Sequence, residues 1–478
     1  MEGWTTADPA DAPVIRGAEP CFNELGSVTW ARLLDFLPGR QREVVVAGRA
    51  QRATPPESTF GEFWMHVAFF TDLHPDSLGG TQVSVATQRR ALEQRGHQVT
   101  VFTAPLPQMV DPDPCVVELR PVPVVAPLMR KLGRHDDFMF VWPSKTNRAI
   151  IDEAFCVREP IDVVHTQGDL GVAIAGVEAA RRHGVPVVQT KHTRFDVYFE
   201  QATATPLPLA LLFGLMQKRH LPPEFDLVRV KESAASRLAW RLMVAHAQAV
   251  DHEITPTSHF AQSLARRGVN RPISVISNGV DDDDIDRARA VDVVTPPDSE
   301  PLRLIWCGRL SSEKRVLAAV QAVALSDHCT LDIYGDGHLE SSIRKTIEST
   351  GLSERVRLHG RVDRQECLIA MRSSDALLFT SCDFDTQGLV LLEATAMSLP
   401  TIYCDPALSE TVPKGGGLLS ADPSPASLAA AIHVLVKNRD KLRNMTDIVG
   451  TQRDTARQSL HTDTIMAIYH SLVDRVPA

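Results

Sequence analysis

A strand–helix alternation that runs twice along the chain constrains its fold more than any other feature. WMHVAFFTD (64–72) is a short apolar run ending at turn residues, the pattern of a buried strand. A Gly-containing loop and a helical stretch from about Thr81 to Arg95 follow, and HQVTVFTAP supplies the next strand. IDVVHTQ (161–167), a helix to Arg182 and PVVQTKHT (186–193) repeat the unit; HEITPTS, another helix and ISVISNGV close it near residue 280. The acidic, proline-containing stretch 281–301 has little apolar surface to bury and is expected to be a linker. The alternation then restarts. LRLIWCG, TLDIYGDG, VRLHG, ALLFTS and TIYCD read as strands, with helices near 313–325, 338–350, 364–373, 389–398 and 424–436. Such spacing builds parallel sheets covered on both faces. The expected fold class is α/β, with two doubly wound, Rossmann-like domains facing across a cleft between the carboxyl edges of their strands, where open α/β sheets bind ligands. The expected boundaries are an N-terminal extension of unknown role over 1–62, a first domain over 63–285, a second over 286–455 and a C-terminal helix over 456–478.

Composition removes several function classes. The formal net charge of −9 gives no global basic field, so no nucleic-acid partner is expected. The eight cysteines contain no CxxC pair and read as small core residues of a reducing compartment, not as a zinc or thioredoxin-type site. The N-terminus MEGWTTADPADAP lacks the apolar segment of a secretory signal. No run approaches the roughly 18 apolar residues that span a bilayer. A cytoplasmic protein is expected. The acids DDDD (281–284) are adjacent in the expected linker and cannot converge on a hard cation without a sharp turn, so they read as a solvated charge run. No metal ligand and no cofactor is expected.

Two local motifs carry candidate chemistry. CGRLSSEKR (307–315) follows a strand and opens a helix, setting Arg309 and Lys314 beside a helix N-terminus, an arrangement suited to a diphosphate. Read locally, the same cations serve equally well as solvated charges. SCDFDTQGLVLLEA (381–394) follows another strand and turns at Gly388. Asp385 falls in its loop and Glu393 in the first turns of its helix, so both carboxylates reach toward one extended ligand while backbone N–H groups near Gly388 meet phosphate. A turn Asp and a surface Glu are the alternative.

Together these segments resemble the retaining GT-B glycosyltransferases of family 4. GRLSSEKR is similar to the family's diphosphate clamp and DTQGLVLLEA to its paired-acid element; YGDG (334–337), VRLHGRV (356–362), SNGVD (277–281) and GGTQ (79–82) fall in the expected order. The resemblance spans about 64–440. It implies a first, acceptor-binding domain and a second domain that binds the nucleotide sugar, a UDP- or GDP-hexose, as substrate. It implies that Arg309 and Lys314 stabilise the departing diphosphate, that Glu393 holds the ribose, and that Asp385 holds hydroxyls of the transferred sugar. Gly79, Gly80, Gln387, Gly388 and Leu389 complete the implied donor site. His192 in TKHTRFDVY resembles the family histidine that touches the donor sugar; His165, at another strand end, reads equally as core or site. The first acid of the pair is usually Glu, and Asp385 is one methylene shorter. The wording DTQGL is similar to the ETQGL of the branch that glucosylates diacylglycerol.

The acceptor is addressed by one further pattern. TPLPLALLFGLM (205–216) is apolar, and 217–246 carries Lys218, Arg219, Arg229, Lys231, Arg237 and Arg241 against three acids; Arg130, Lys131 and Arg134 add to it. Apolar and basic residues so paired suit peripheral contact with an anionic membrane, on the inner face of the cell membrane for a cytoplasmic protein. A core helix with solvated cations is the other reading. The expected activity is hexosyl transfer to a lipid or lipid-linked acceptor. The alternatives are the same chemistry on a soluble small-molecule acceptor and, from another class, a sugar-nucleotide epimerase.

Overall fold

The computed structural model describes residues 64–475 apart from 78, 107–112, 124–138, 202–205, 222–226, 294–296 and 298. The expected extension 1–62 and the cations Arg130, Lys131 and Arg134 lie outside these.

Two parallel sheets carry the fold. The first comprises β1 (His66–Thr71), β2 (Gln98–Thr103), β3 (Val116–Glu118), β4 (Val163–Thr166), β5 (Val187–Thr190), β6 (His252–Thr255) and β7 (Ile273–Val275). Their spatial order is β3-β2-β1-β4-β5-β6-β7. The second comprises β8 (Leu302–Cys307), β9 (Cys329–Tyr334), β10 (Val356–Gly360), β11 (Ala376–Phe379), β12 (Thr401–Tyr403) and β13 (Gly417–Leu419), ordered β10-β9-β8-β11-β12-β13. All the neighbouring strands in both sheets pair in parallel. In each sheet the winding reverses beside the first strand, between β1 and β4 and between β8 and β11. Ligand crevices open at the carboxyl ends of such strand pairs.

β1 reads as a continuous apolar run because helices cover both its faces. Ala68 and Phe70 enter one core, where the Phe70 and Phe102 rings stack 4.4 Å apart, while Val67 and Phe69 enter the other. The first of these cores is roofed by helices that include Lys145–Val157, Gly171–His183, Pro206–His220 and Ala234–Ala247. The second is roofed by Gly80–Gln94 and by the last helix, Gln458–Val473, whose Ile465, Met466, Tyr469 and Leu472 pack with Phe69, Val101 and Val163. The C-terminal helix thus completes the core of the first domain. Tyr469 meets His165 Nδ1 at 2.5 Å and Thr190 Oγ1 meets His165 Nε2 at 2.7 Å, so His165 is a core histidine. The second sheet is likewise covered on both faces.

The stretch expected as a linker begins instead with a helix, Asp282–Arg289. Asp281 caps it by accepting from the Asp284 N–H, and acids in its first turn suit the positive end of the helix dipole. Ile285 and Ala288, three residues apart, form its buried face with Leu368 and Met371. The acids are not a solvated run. Asp281 pairs with Arg90 at 2.8 Å, Asp282 accepts from Ser459 Oγ at 2.6 Å, Asp283 accepts from Gln94 at 3.1 Å, and Asp286 pairs with Arg457 at 2.5 Å. The low average hydropathy of the stretch hid a two-residue apolar face and these four partners. No helix among the described residues is long and apolar enough to cross a membrane.

Candidate active site

The second domain builds its half of the site from the loops after β8 and β11. After Cys307 the chain turns through Gly308 and Arg309 into a short 3-10 turn, Ser312–Lys314; the helix expected from 313 starts at Val316. The Tyr334–Gly337 loop clamps this turn, with Leu310 N–H donating to Asp336 O at 2.8 Å. The approach is so close that a Cβ on Gly335 would lie 1.9 Å from the Gly308 carbonyl oxygen. Lys314 Nζ reaches Asp385 Oδ1 at 2.5 Å and sits 5.2 Å from the Phe384 ring centroid. The other oxygen of Asp385, Oδ2, is buried and accepts from no protein group. Gly388, at φ 76°, turns the loop into the helix Leu389–Ala396. A left-handed residue is needed there, and a Cβ would also press on Phe379 at 3.1 Å.

Glu393 lies one turn further on. Its Oε1 is 3.2 Å from Arg364 Nη2, and Arg364 Nε in turn is 3.6 Å from Asp284 Oδ2. Burial pushes the Glu393 carboxyl up, Arg364 opposes this, and Asp284 adds to the rise. Cys307 and Cys367 bring their thiols within 3.2 Å in the same region. Among the described residues one trio has metal-ligating types in reach of one another, Cys382, Asp383 and Asp405. Asp405 already accepts from the Asp383 and Ala407 N–H groups, each at 2.9 Å, and so caps the short 3-10 turn Pro406–Glu410.

The first domain contributes backbone and neutral side chains. Gly79 caps the helix Gly80–Gln94, and a Cβ on Gly80 would stand 3.5 Å from Leu389 Cδ1. His192 follows β5; its Nε2 is 2.7 Å from Gln167 Oε1, and its carbonyl oxygen accepts from Thr386 Oγ1 at 2.8 Å. Burial lowers the imidazole to about 4, so it is neutral at pH 7. Its neighbour Lys191 is wholly buried and donates to Asp169. Burial works against that carboxylate, but Lys191 and His246 overcome it and hold it at about 2.

The structure therefore brings Lys314 to Asp385, Leu389 to Gly80, and the Asp385–Gly388 loop to His192. Gln387 Oε1 accepts from Asn278 N and Nδ2 at 3.1 and 2.8 Å, and its Nε2 donates to Ser277 Oγ at 2.7 Å, so its side chain ties the loop to the first domain and keeps one amide proton. Glu393 does not join Asp385 on one cation; each acid has its own, Arg364 and Lys314. Sequence reasoning missed Arg364, Gln167, Asn278 and Thr386. Each acts through a partner remote in the chain; Gln167, Asn278 and Thr386 lie in segments already singled out, but nothing local in them signals those partners.

Two family models match in tandem: glycosyltransferase family 4 over residues 78–284 and glycosyl transferases group 1 over 290–450. An alpha-monoglucosyldiacylglycerol synthase of Streptococcus pneumoniae is 21% identical over 354 residues, 71% of this chain and 70% of that protein. A glycogen synthase of Mycobacterium tuberculosis is 28% identical over 310 residues, 63% of this chain and 65% of that protein. Among solved structures, Anabaena HepE in complex with UDP-glucose superposes with a TM-score of 0.58 at 15% identity, covering 85% of this chain and 99% of that one. The tandem matches and the two parallel-sheet domains whose carboxyl edges meet make this chain a member of the GT-B glycosyltransferases of family 4, a hexosyltransferase.

Proposed function

We infer that the enzyme moves a hexose from a nucleotide-diphosphate sugar, UDP- or GDP-linked, to a lipid or lipid-linked acceptor, with retention of anomeric configuration and no metal ion. One observation carries the donor assignment: Asp385 rests one oxygen on Lys314 and keeps the other buried without a protein donor. A buried acceptor left unpaired costs about 1–3 kcal/mol, and a sugar hydroxyl is the partner that fits it. Lys314, with Arg309 on the same turn, faces the position where charge grows on the departing diphosphate; fixed cations there supply what a divalent ion supplies elsewhere. The N–H groups that open the helix after Gly388 suit the phosphates, and Glu393 takes the ribose hydroxyls. His192, neutral, serves as a hydrogen-bonding contact to the transferred sugar.

The acceptor assignment rests on the helix Pro206–His220. Leu207, Leu211 and Leu215, spaced four apart, are 45%, 56% and 56% exposed, while Ala210, Phe213 and Met216 hold the other face in the core. Lys218 and Arg219 are exposed at the end of the same helix, and exposed Val228 and Val230 alternate with exposed Arg229 and Lys231. A leucine row rimmed by cations fits the headgroup region of an anionic bilayer, where each such cation contributes about 1 kcal/mol. The enzyme would then work on the inner face of the membrane. The likeness to a glucosyldiacylglycerol synthase supports this reading; the likeness to a glycogen synthase favours a soluble glycan instead.

The test supplies UDP- and GDP-hexoses with diacylglycerol or monoglycosyl-diacylglycerol in phosphatidylglycerol vesicles, or with oligosaccharides in solution, and follows acceptor-dependent nucleotide release. Release with the lipids, an α-linked product by NMR and indifference to EDTA are expected. Turnover only with oligosaccharides overturns the lipid acceptor, and EDTA-sensitive turnover restored by magnesium overturns the metal-free mechanism.

A further inference from the structure

The side chains between His192 and the donor loop form one directed chain of hydrogen bonds. His192 Nε2 lies 2.7 Å from Gln167 Oε1; Gln167 Nε2 lies 2.9 Å from Gln88 Oε1; Gln88 Nε2 lies 3.2 Å from Ser84 Oγ. Ser84 Oγ is 2.6 Å from Asn278 Oδ1, and Asn278 Nδ2 is 2.8 Å from Gln387 Oε1. Every member but His192 is buried.

One bond sets the direction of all the others. The backbone N–H of Asn278 lies 3.1 Å from Gln387 Oε1, and a backbone N–H can only donate. Gln387 must therefore present its oxygen. Asn278 must face that oxygen with its NH2 group, so its own oxygen faces Ser84. Ser84 then donates its single proton to Asn278 and accepts from Gln88. Gln88 must present its NH2 to Ser84 and its oxygen to Gln167, which in turn presents its oxygen to His192. The imidazole is left one option: it carries its proton on Nε2 and keeps a lone pair on Nδ1.

We propose that Ser84, Gln88 and Gln167 are positioning residues, a relay that holds His192 as the Nε2–H tautomer while the Asp385–Gly388 loop is docked on the first domain. Gln387 and Thr386 both belong to that loop, and Thr386 fixes the His192 carbonyl as the relay fixes its ring. The tautomer thus reports whether the two domains are joined, and Nδ1 is an acceptor for a hydroxyl of the transferred sugar only in the joined state. The effect on turnover rests on the reading that His192 meets that sugar; the effect on the tautomer does not.

The test is proton–nitrogen correlation NMR on full-length protein labelled with 15N-histidine, with His192 assigned by its loss in His192→Asn. The unsubstituted enzyme should show a single neutral tautomer protonated at Nε2 at pH 7. A proton on Nδ1, or an averaged pair, overturns the relay without any variant having to fold. Gln88→Met and Ser84→Ala break the chain without touching His192. Both should average the tautomer and lower kcat about 10-fold, as small misplacements of reacting groups do, with the Kd for UDP or GDP changed less than about 2-fold. An unaltered tautomer in both variants also overturns the relay. An averaged tautomer with full turnover removes His192 from the sugar contact, and with it the relay's catalytic role.

Discussion

The two domains bring different chemistry to the same interface. The second presents ions: Lys314 against Asp385, Arg364 against Glu393, and Arg309 on the clamp turn. The first presents backbone at Gly79 and Gly80, a neutral imidazole at His192, and amides and a hydroxyl behind it. The division follows from cost. A nucleotide diphosphate brings charge that only fixed counter-charge can meet in a site closed to water. A sugar brings hydroxyls, which neutral groups can hold without the desolvation penalty that a buried ion carries. Among the described residues of the first domain, the wholly buried pair Lys191 with Asp169 is enclosed by protein groups, with Gln189 donating to the same carboxylate and His246 beside it.

The largest effect should come from the charged side. Lys314→Ala and Arg309→Ala should each lower kcat about 10²- to 10³-fold, with circular dichroism and melting temperature unchanged. Near-normal turnover in both would erase the contrast between the domains.

Next comes Arg364→Ala. Glu393 is already raised by burial, and without its cation it should rise further. The KM for donor should increase about 10-fold at pH 7, within the range for a lost charge-assisted contact. As the pH falls, nucleotide affinity should fade from a higher pH in the variant than in the parent. Parallel Kd–pH curves would show that Arg364 does not hold Glu393 ionised.

The third prediction concerns acid. Burial lowers His165 to about 3 and His192 to about 4, and it also lowers His66 and His246, all in the first domain. Between pH 6.5 and 4 the unfolded chain binds protons that the native state refuses, so stability falls as the pH drops through that window. Asp72, raised by burial to about 6, and Glu253, raised by burial well above the ordinary carboxylate range, act in the opposite sense, but as two groups against four. Hydrogen exchange at pH 5 and pH 7 should show β4 and β5 losing protection before β8 and β9; an equal loss would place the acid sensitivity elsewhere.

The smallest effect sharpens the contrast by showing that charge matters only at the interface. Arg344 and Glu340 pair at 2.7 Å on an exposed helix of the second domain, with 55% and 40% of their side chains accessible. Arg344→Ala should change unfolding free energy by less than about 0.5 kcal/mol in urea titrations.

The same contrast decides what could be read from the sequence. Lys314 and Asp385 lie in contiguous motifs after β8 and β11, which are neighbours in the sheet, so two local patterns sufficed to bring them together. The second-domain helices were legible for a related reason, since each follows its strand with little interruption. The relay was not. Gln88 on a helix looks like a surface residue, and its burial depends on Gln167 arriving from another strand–helix unit. Asn278 sat in a recognised segment, but its partner Ser84 is 194 residues away. The run 281–284 was misread because its partners, Arg90, Gln94, Arg457 and Ser459, come from both ends of the described chain.

The last helix also sets a schedule for synthesis. Phe69, Val101 and Val163 lie on a sheet made early, yet one wall of their core is Ile465, Met466 and Tyr469. A ribosome adding about 5–20 residues per second leaves that wall open while the whole second domain is translated. The domain made first is therefore closed last. Throughout that interval an apolar sheet face stands exposed, a natural target for a chaperone and a hazard to any expression fragment cut between the domains.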